Sequence, residues 1–157
     1  MITINKENIP LISDYLHDAL FCPQDFIYDK LNQMFTIKLS RIYYEKPFPG
    51  KILLIIPEIR FKKIECEIVF KNISNVEINY LKRNSEKDHY CLLQIGIENG
   101  VFILTGEYMS VKVTLVENSN IVVDDVGDPS EKFYFLDFFT KNPWFNRMAE
   151  INKLEQD

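Results

Sequence analysis

Apolar residues recur at helical spacing early in the chain, where Ile9, Ile12, Leu16 and then Ala19 or Leu20 keep one stripe. Pro10 suits an early helical position, so the pattern predicts a short helix over 8–18. From residue 25 the period falls to two. Asp25–Asp29 reads as a short strand, Leu31-Asn32-Gln33 as a turn, and Phe35, Ile37 and Leu39 alternate with Thr36, Lys38 and Ser40. Ile42 and Tyr44 fall on the other parity, which predicts a bulge near Ser40-Arg41. Lys46-Pro47-Phe48-Pro49-Gly50 reads as a loop.

The alternation is clearest in the middle of the chain. Ile64, Cys66, Ile68 and Phe70 share one face, and Val76, Ile78 and Tyr80 repeat the pattern. Asn84–Asp88 is polar and loop-like, after which Cys91, Leu93, Ile95 and Ile97 form the next apolar face. Asn99-Gly100 predicts a type I′ hairpin, because both residues tolerate positive φ. That register sets Ile97 opposite Phe102 and Ile95 opposite Leu104. Met109, Val111, Val113 and Leu115 make a further strand, and Asn118-Ser119-Asn120 turns into Ile121-Val122-Val123. The tail changes period. Asp128-Pro129-Ser130-Glu131 has the signature of a helix start, Asn142-Pro143 marks a second, and Trp144, Met148, Ile151 and Leu154 form a helical stripe.

These elements predict an α+β fold that is mainly β. About seven mostly antiparallel strands curl into a sheet or partly open barrel, with a short N-terminal helix and C-terminal helices. A pleckstrin-homology-like barrel has this order, by analogy of fold alone. Composition agrees, since 20 Ile and 9 Val stand against only 2 Ala. The length of 157 residues suits a single domain, 1–157, with 128–157 as a helical appendage packed on the sheet.

Net charge −5 argues against nucleic acid as a partner. The longest aliphatic stretch, Ile52–Ile56, is far shorter than the roughly 20 residues of a membrane span. Three cysteines, Cys22, Cys66 and Cys91, without a C-x-x-C suit reduced thiols, and the N-terminus lacks a signal-peptide pattern, so a cytoplasmic location is expected.

Leu16-His17-Asp18-Ala19, Asp25-Phe26-Ile27-Tyr28 and the strand Phe35–Arg41 with Glu45 nearby resemble the pattern of an uncharacterised bacterial domain-of-unknown-function family. Its members open with a Leu-Gln-Asp-Ala motif, where this chain has His17 in place of Gln. Ile59-Arg60-Phe61, the strand Val111–Val116 and Asp125–Pro129 follow in a similar order, so the resemblance spans roughly residues 9–129. It implies no activity and carries over no catalytic residue.

Several constellations could hold chemistry. His17-Asp18 is similar to the dyad of metal-dependent HD phosphohydrolases, but those need further histidines and this chain has only His17 and His89. Asp18 is expected instead to accept backbone hydrogen bonds where the helix ends. Asp14, His17 and Asp18 share a helical face but offer few soft ligands for a transition metal. Asp124, Asp125, Asp128 and Glu131 gather oxygens without the spacing of an EF-hand loop. No metal or cofactor is therefore expected. No glycine-rich phosphate loop occurs. His89 and Cys91 share strand parity, though Cys91 begins an apolar face.

Phe133-Tyr134-Phe135-Leu136-Asp137-Phe138-Phe139 is apolar all round if helical, so it is either buried or an interface. The first reading is a non-catalytic binding or protein-interaction module, with Phe133, Phe135, Phe138, Phe139, Trp144 and Met148 as interface candidates toward a protein partner or a second copy. One rival is an enzyme with a site near His17, Asp18, Arg41 and Glu45, of which Arg41 and Glu45 could equally form a surface ion pair. The other is a small-ligand-binding barrel with an apolar cavity.

Overall fold

The structure is a computed structural model that describes residues 1–52, 56–81 and 89–135, with the backbone alone at 44–52, 56–61 and 130–135. In chain order these form β1 (Ile2–Thr3), α1 (Ile9–Leu16), β2 (Leu20–Phe21), a short 3-10 turn at Pro23–Asp25, β3 (Ile27–Asp29), β4 (Met34–Ile52), β5 (Ile56–Tyr80), β6 (Tyr90–Glu98), β7 (Val101–Gly106) and β8 (Met109–Phe135). The expected mainly-β α+β fold is what forms, with one helix among the described residues.

Every strand pairing is antiparallel. The order β1-β8-β5-β4-β2-β6-β7 returns to β8 through a β7–β8 pairing, so the sheet curls into a ring of strands that is not a regular barrel. The inner side is apolar: Phe35, Ile37, Leu39, Ile68, Phe70, Phe102, Leu104, Val111 and Val113 are all buried there. Each such side chain removed from water stabilises the fold by about 1.5–3 kcal/mol. The Phe35, Phe70 and Phe102 rings link β4, β5 and β7 at centroid separations of 5.8 and 4.9 Å.

The helix closes one side of the ring because its start is strongly specified. The Asn5 carboxamide accepts the N–H groups of Glu7 and Asn8 at 2.9 Å each, and the Asn8 carboxamide accepts the Asn5 N–H at 2.9 Å. These reciprocal bonds between two asparagines close the turn that leads into α1, in the manner of a capping box. Ile4 and Ile9 flank it and both enter the core, as a hydrophobic staple does. The predicted stripe Ile9, Ile12, Leu16 and Ala19 is buried. Asp18 ends the helix in the left-handed region at φ 64°, the place glycine usually takes.

The hairpin forms as expected, with Asn99 at φ 49° and Gly100 at φ 76°, Ile97 opposite Phe102 and Ile95 opposite Leu104. Other local expectations are corrected by pairing. The β4–β5 register runs without a shift from Met34↔Lys71 to Tyr43↔Lys62, so no bulge occurs at Ser40-Arg41. The irregularity lies between Tyr43 and Phe48, and residues 46–50 belong to β4 rather than to a loop. On β6 the inner residues are Tyr90 and Leu92, not Cys91 and Leu93. The register shifts between Leu92 and Gln94, leaving Leu93 as an extra residue that is 43% exposed. The shift returns Ile95 and Ile97 to the inner face.

Asn118–Asn120 does not separate two strands but lies within β8, where the ladder shifts between Lys71↔Asn120 and Ile73↔Leu115. Ser119 Oγ there donates to the Asn72 carbonyl at 2.6 Å and accepts the Val116 N–H at 2.7 Å, while Asn72 donates to the Asn118 carbonyl at 3.0 Å. The helix start expected at Asp128 is not one. Residues 128–135 continue β8 and pair with β5, Ser130 opposite Lys63 and Phe135 opposite Ile59. The remainder of the expected helical appendage, with its stripe at Trp144, Met148, Ile151 and Leu154, lies outside the described residues, as does Asn84–Asp88.

Candidate functional site

Continuing the inner face of β4 past Leu39 places Arg41 among apolar neighbours, and its side chain is fully buried. A buried cation is tolerated only with a partner. Residue 125 continues the inner face of β8 after Ile121 and Val123, and it is an aspartate. Arg41 Nε donates to Asp125 Oδ1 at 2.9 Å, and Nη2 donates to Asp125 Oδ2, giving the two-pronged geometry that guanidinium and carboxylate favour. Arg41 Nη1 donates to the Ile42 carbonyl at 3.1 Å.

The helix supplies the lid of this pair. The Tyr15 hydroxyl donates to Asp125 Oδ2 at 3.1 Å, and the Tyr15 ring lies 3.8 Å from the guanidinium carbon. Tyr43, on the same face of β4, lies 5.5 Å from that carbon. Both distances suit cation–π attraction. Cys66 pairs with Asp125 across the β5–β8 ladder. Burial first, and then the negative charge of Asp125, push its thiol well above the ordinary value, so it stays protonated. Four elements thus meet at one polar cluster inside the ring: α1, β4, β5 and β8.

A second cluster sits where α1 ends. Cys91 Sγ lies 3.5 Å from Asp18 Oδ1, and His17 Nδ1 lies 3.2 Å from Asp18 Oδ2. The Asp18 N–H donates to the Leu92 carbonyl at 3.0 Å. The Asp18 carboxylate was expected to take backbone N–H groups; its described partners are the Cys91 thiol and His17. Burial and the Asp18 carboxylate push the Cys91 thiol up to about 11. Aspartate sits between thiol and imidazole, the reverse of a nucleophilic triad in which the imidazole contacts the thiol.

Of the four residues of the enzyme reading, three have described contacts, and these fall in two groups. His17 and Asp18 belong with Cys91, while Arg41 belongs with Asp125 and Tyr15. Glu45 is in β4 by backbone alone, so a pairing with Arg41 lies outside what is described; Arg41 is in any case no surface residue. Of the four acidic residues near 125, Asp124 meets the Met1 amino group at 2.8 Å and Asp125 holds Arg41, while the Glu131 side chain lies outside what is described. Among the described residues no three His, Cys, Asp or Glu side chains are gathered to hold a metal. Of the interface candidates, Phe133 and Phe135 lie on β8, opposite Phe61 and Ile59 in register. Phe138, Phe139, Trp144 and Met148 lie outside the described residues.

Sequence reasoning missed Tyr15, Cys66 and Asp125 as partners of Arg41. The signal was available: each is the next residue on an apolar stripe, after Ile12, Ile64 and Val123. An open cavity of about 240 Å³ lies beside this region, lined by Cys22, Asp25, Lys38, Lys63, Glu65 and His89 among others. Its lining mixes both signs of charge.

The architecture is that of a mainly-β α+β domain, a curled antiparallel ring lidded by one helix and pinned by an internal arginine–aspartate pair. The family described as a protein of unknown function (DUF2948) matches residues 1–127, most of the chain, and the protein belongs to it. The match ends at Gly127, a positive-φ residue within β8, so residues 128–157 extend beyond it. No curated protein and no solved structure matches the chain. Among the described residues no helix is long and apolar enough to cross a membrane.

Proposed function

We propose that the protein is a non-catalytic interaction module of the cytosol, in which the ring is a rigid platform and the C-terminal segment is the contact surface. The observation that supports this most is the state of the reactive groups. Arg41 already has its carboxylate, held by Nε and Nη2 together, and Asp125 is further bonded by the Tyr15 hydroxyl. An arginine that is buried and satisfied by an internal carboxylate braces the fold. The contact surface is argued from sequence, because six of the seven residues from Phe133 to Phe139 are aromatic or aliphatic and β8 delivers the chain directly into them. Aromatic residues are enriched where proteins meet.

The partner is another protein or a second copy of this chain. Light scattering of the full chain across a concentration series, beside the variant Phe138→Asp/Trp144→Asp, tests this. The expected result is a mass or a retained partner that the double variant loses while its thermal melt is unchanged. A full chain that is monomeric and partnerless, with the variant identical to it, would refute the reading.

A further inference from the structure

We propose that the second half of β5 is a docking edge for a second copy of this chain, the two strands running antiparallel about a two-fold axis at Ile78. β4 accompanies β5 only as far as Met34↔Lys71, with a last bond from the Ile73 N–H to the Gln33 carbonyl at 3.2 Å. From Asn75 to Tyr80, β5 pairs with β8 on one side. On the other side no strand pairs with it among the described residues. The ladder shows which groups face that open side. The Leu81 N–H donates to the Tyr108 carbonyl at 2.8 Å, so odd-numbered residues of this stretch bond toward β8. Val76 and Ile78 therefore turn their N–H and C=O groups off the edge, and neither makes a hydrogen bond on that side among the described residues. An edge of this kind is a template for a further strand.

The side chains are as exposed as the backbone. Ile78 is 37% exposed although its cross-strand neighbour Val111 is fully buried, and Leu81 is 72% exposed. The devices that protect an edge are missing, since Ile73–Leu81 holds no proline, lysine or arginine. The pattern of the stretch selects a second copy as occupant. A two-fold axis at Ile78 lets the two Ile78 residues exchange N–H···O=C bonds and sets Val76 beside Tyr80 of the other chain, apolar against apolar. On the opposite face it sets Glu77, the one charged residue from Ile73 to Leu81, against Asn79 of the other chain. Glu77 Oε1 accepts the Asn75 carboxamide at 3.1 Å, and the Asn79 carboxamide of the second copy would add a further donor. Moving the axis to Glu77 would oppose two like charges, which strand pairs avoid. The edge is a different segment from Phe133–Phe139, so the two readings fail separately.

Sedimentation equilibrium of the full chain over a concentration series tests this, with three variants beside it. Asn79→Glu places a carboxylate against Glu77 of the second copy and should weaken dimerisation about tenfold, whereas Asn79→Lys should strengthen it. Asn79 is exposed, so both variants should keep the circular dichroism of the parent. Ile78→Pro removes the N–H that points off the edge without taking a bond from the β8 ladder, and should leave a monomer. A dimer that survives Phe138→Asp/Trp144→Asp and responds to residue 79 in both directions supports the edge. A full chain that is monomeric throughout, or a dimer whose affinity is the same in both Asn79 variants, would overturn the proposal. A dimer lost in Phe138→Asp/Trp144→Asp and unmoved at residue 79 would overturn it too, and would assign the contact to the C-terminal segment.

Discussion

Arg41 is the one charged residue buried among the described residues. The cost of a buried ion pair is asymmetric: breaking it leaves one charge stranded, whereas replacing both members with apolar groups is close to neutral. Asp125→Ala should therefore destabilise by about 3–5 kcal/mol in urea unfolding. Arg41→Met/Asp125→Leu should recover most of that loss, and a double variant as weak as the single one would show that the pair contributes more than charge balance. Cys91 gives a second test at this scale. Its folded value of about 11 lies above the ordinary 9.0, so the unfolded chain loses this proton first. The contribution to stability is fully present below about pH 9 and is lost as pH rises toward about 11. Cys66, raised in the same direction by burial, adds to that alkaline loss. Peptide mapping after brief iodoacetamide treatment should show Cys91 modification rising only well above pH 9, and Asp18→Asn should move the rise to lower pH because the neighbouring negative charge is gone.

Strands decide how much of this fold can be read from the chain. The 95–104 hairpin was legible because its turn is local: Asn99 and Gly100 both occupy positive φ. Gly100→Val should accordingly cost about 1–2 kcal/mol, seen as a lower melting temperature, since a β-branched residue resists that region. Legibility fails where a distant partner overrides a local signal. Ile42 and Tyr44 read as a slip in phase, yet the strand keeps its register and Arg41 stays on the inner face because its partner lies 84 positions away in Asp125. The Leu93 bulge flips the apparent parity of β6, and nothing local marks it. Asp128-Pro129-Ser130-Glu131 carries a helix-start signature, but there the β5 edge offers strand pairing, and tertiary context outweighs propensity. The Arg41–Asp125–Tyr15 cluster was written in the sequence as three separate stripes; only the ring's closure brings them together.

At the scale of the molecule, the family match ends inside β8, which runs on to Phe135 in pairing with β5. The family match covers residues 1–127, which include every member of the core cluster, all of α1 and the whole Arg41 site. Beyond it lie the end of β8 and the aromatic segment. If that segment is this protein's contact surface, removing it should separate association from folding. Truncation after Asn142 deletes Trp144, Met148, Ile151 and Leu154 but leaves the core cluster intact. Each of those side chains is worth roughly 1.5–3 kcal/mol when removed from water, so the protein has reason to cover them against itself or a partner. The truncated chain should keep the β-rich circular dichroism of the ring, while its mass by light scattering changes or its exposed remainder, including Phe138 and Phe139, drives aggregation. A truncated chain of unchanged mass, solubility and melting temperature would show that the tail is dispensable, and the interaction reading would lose the segment on which it stands.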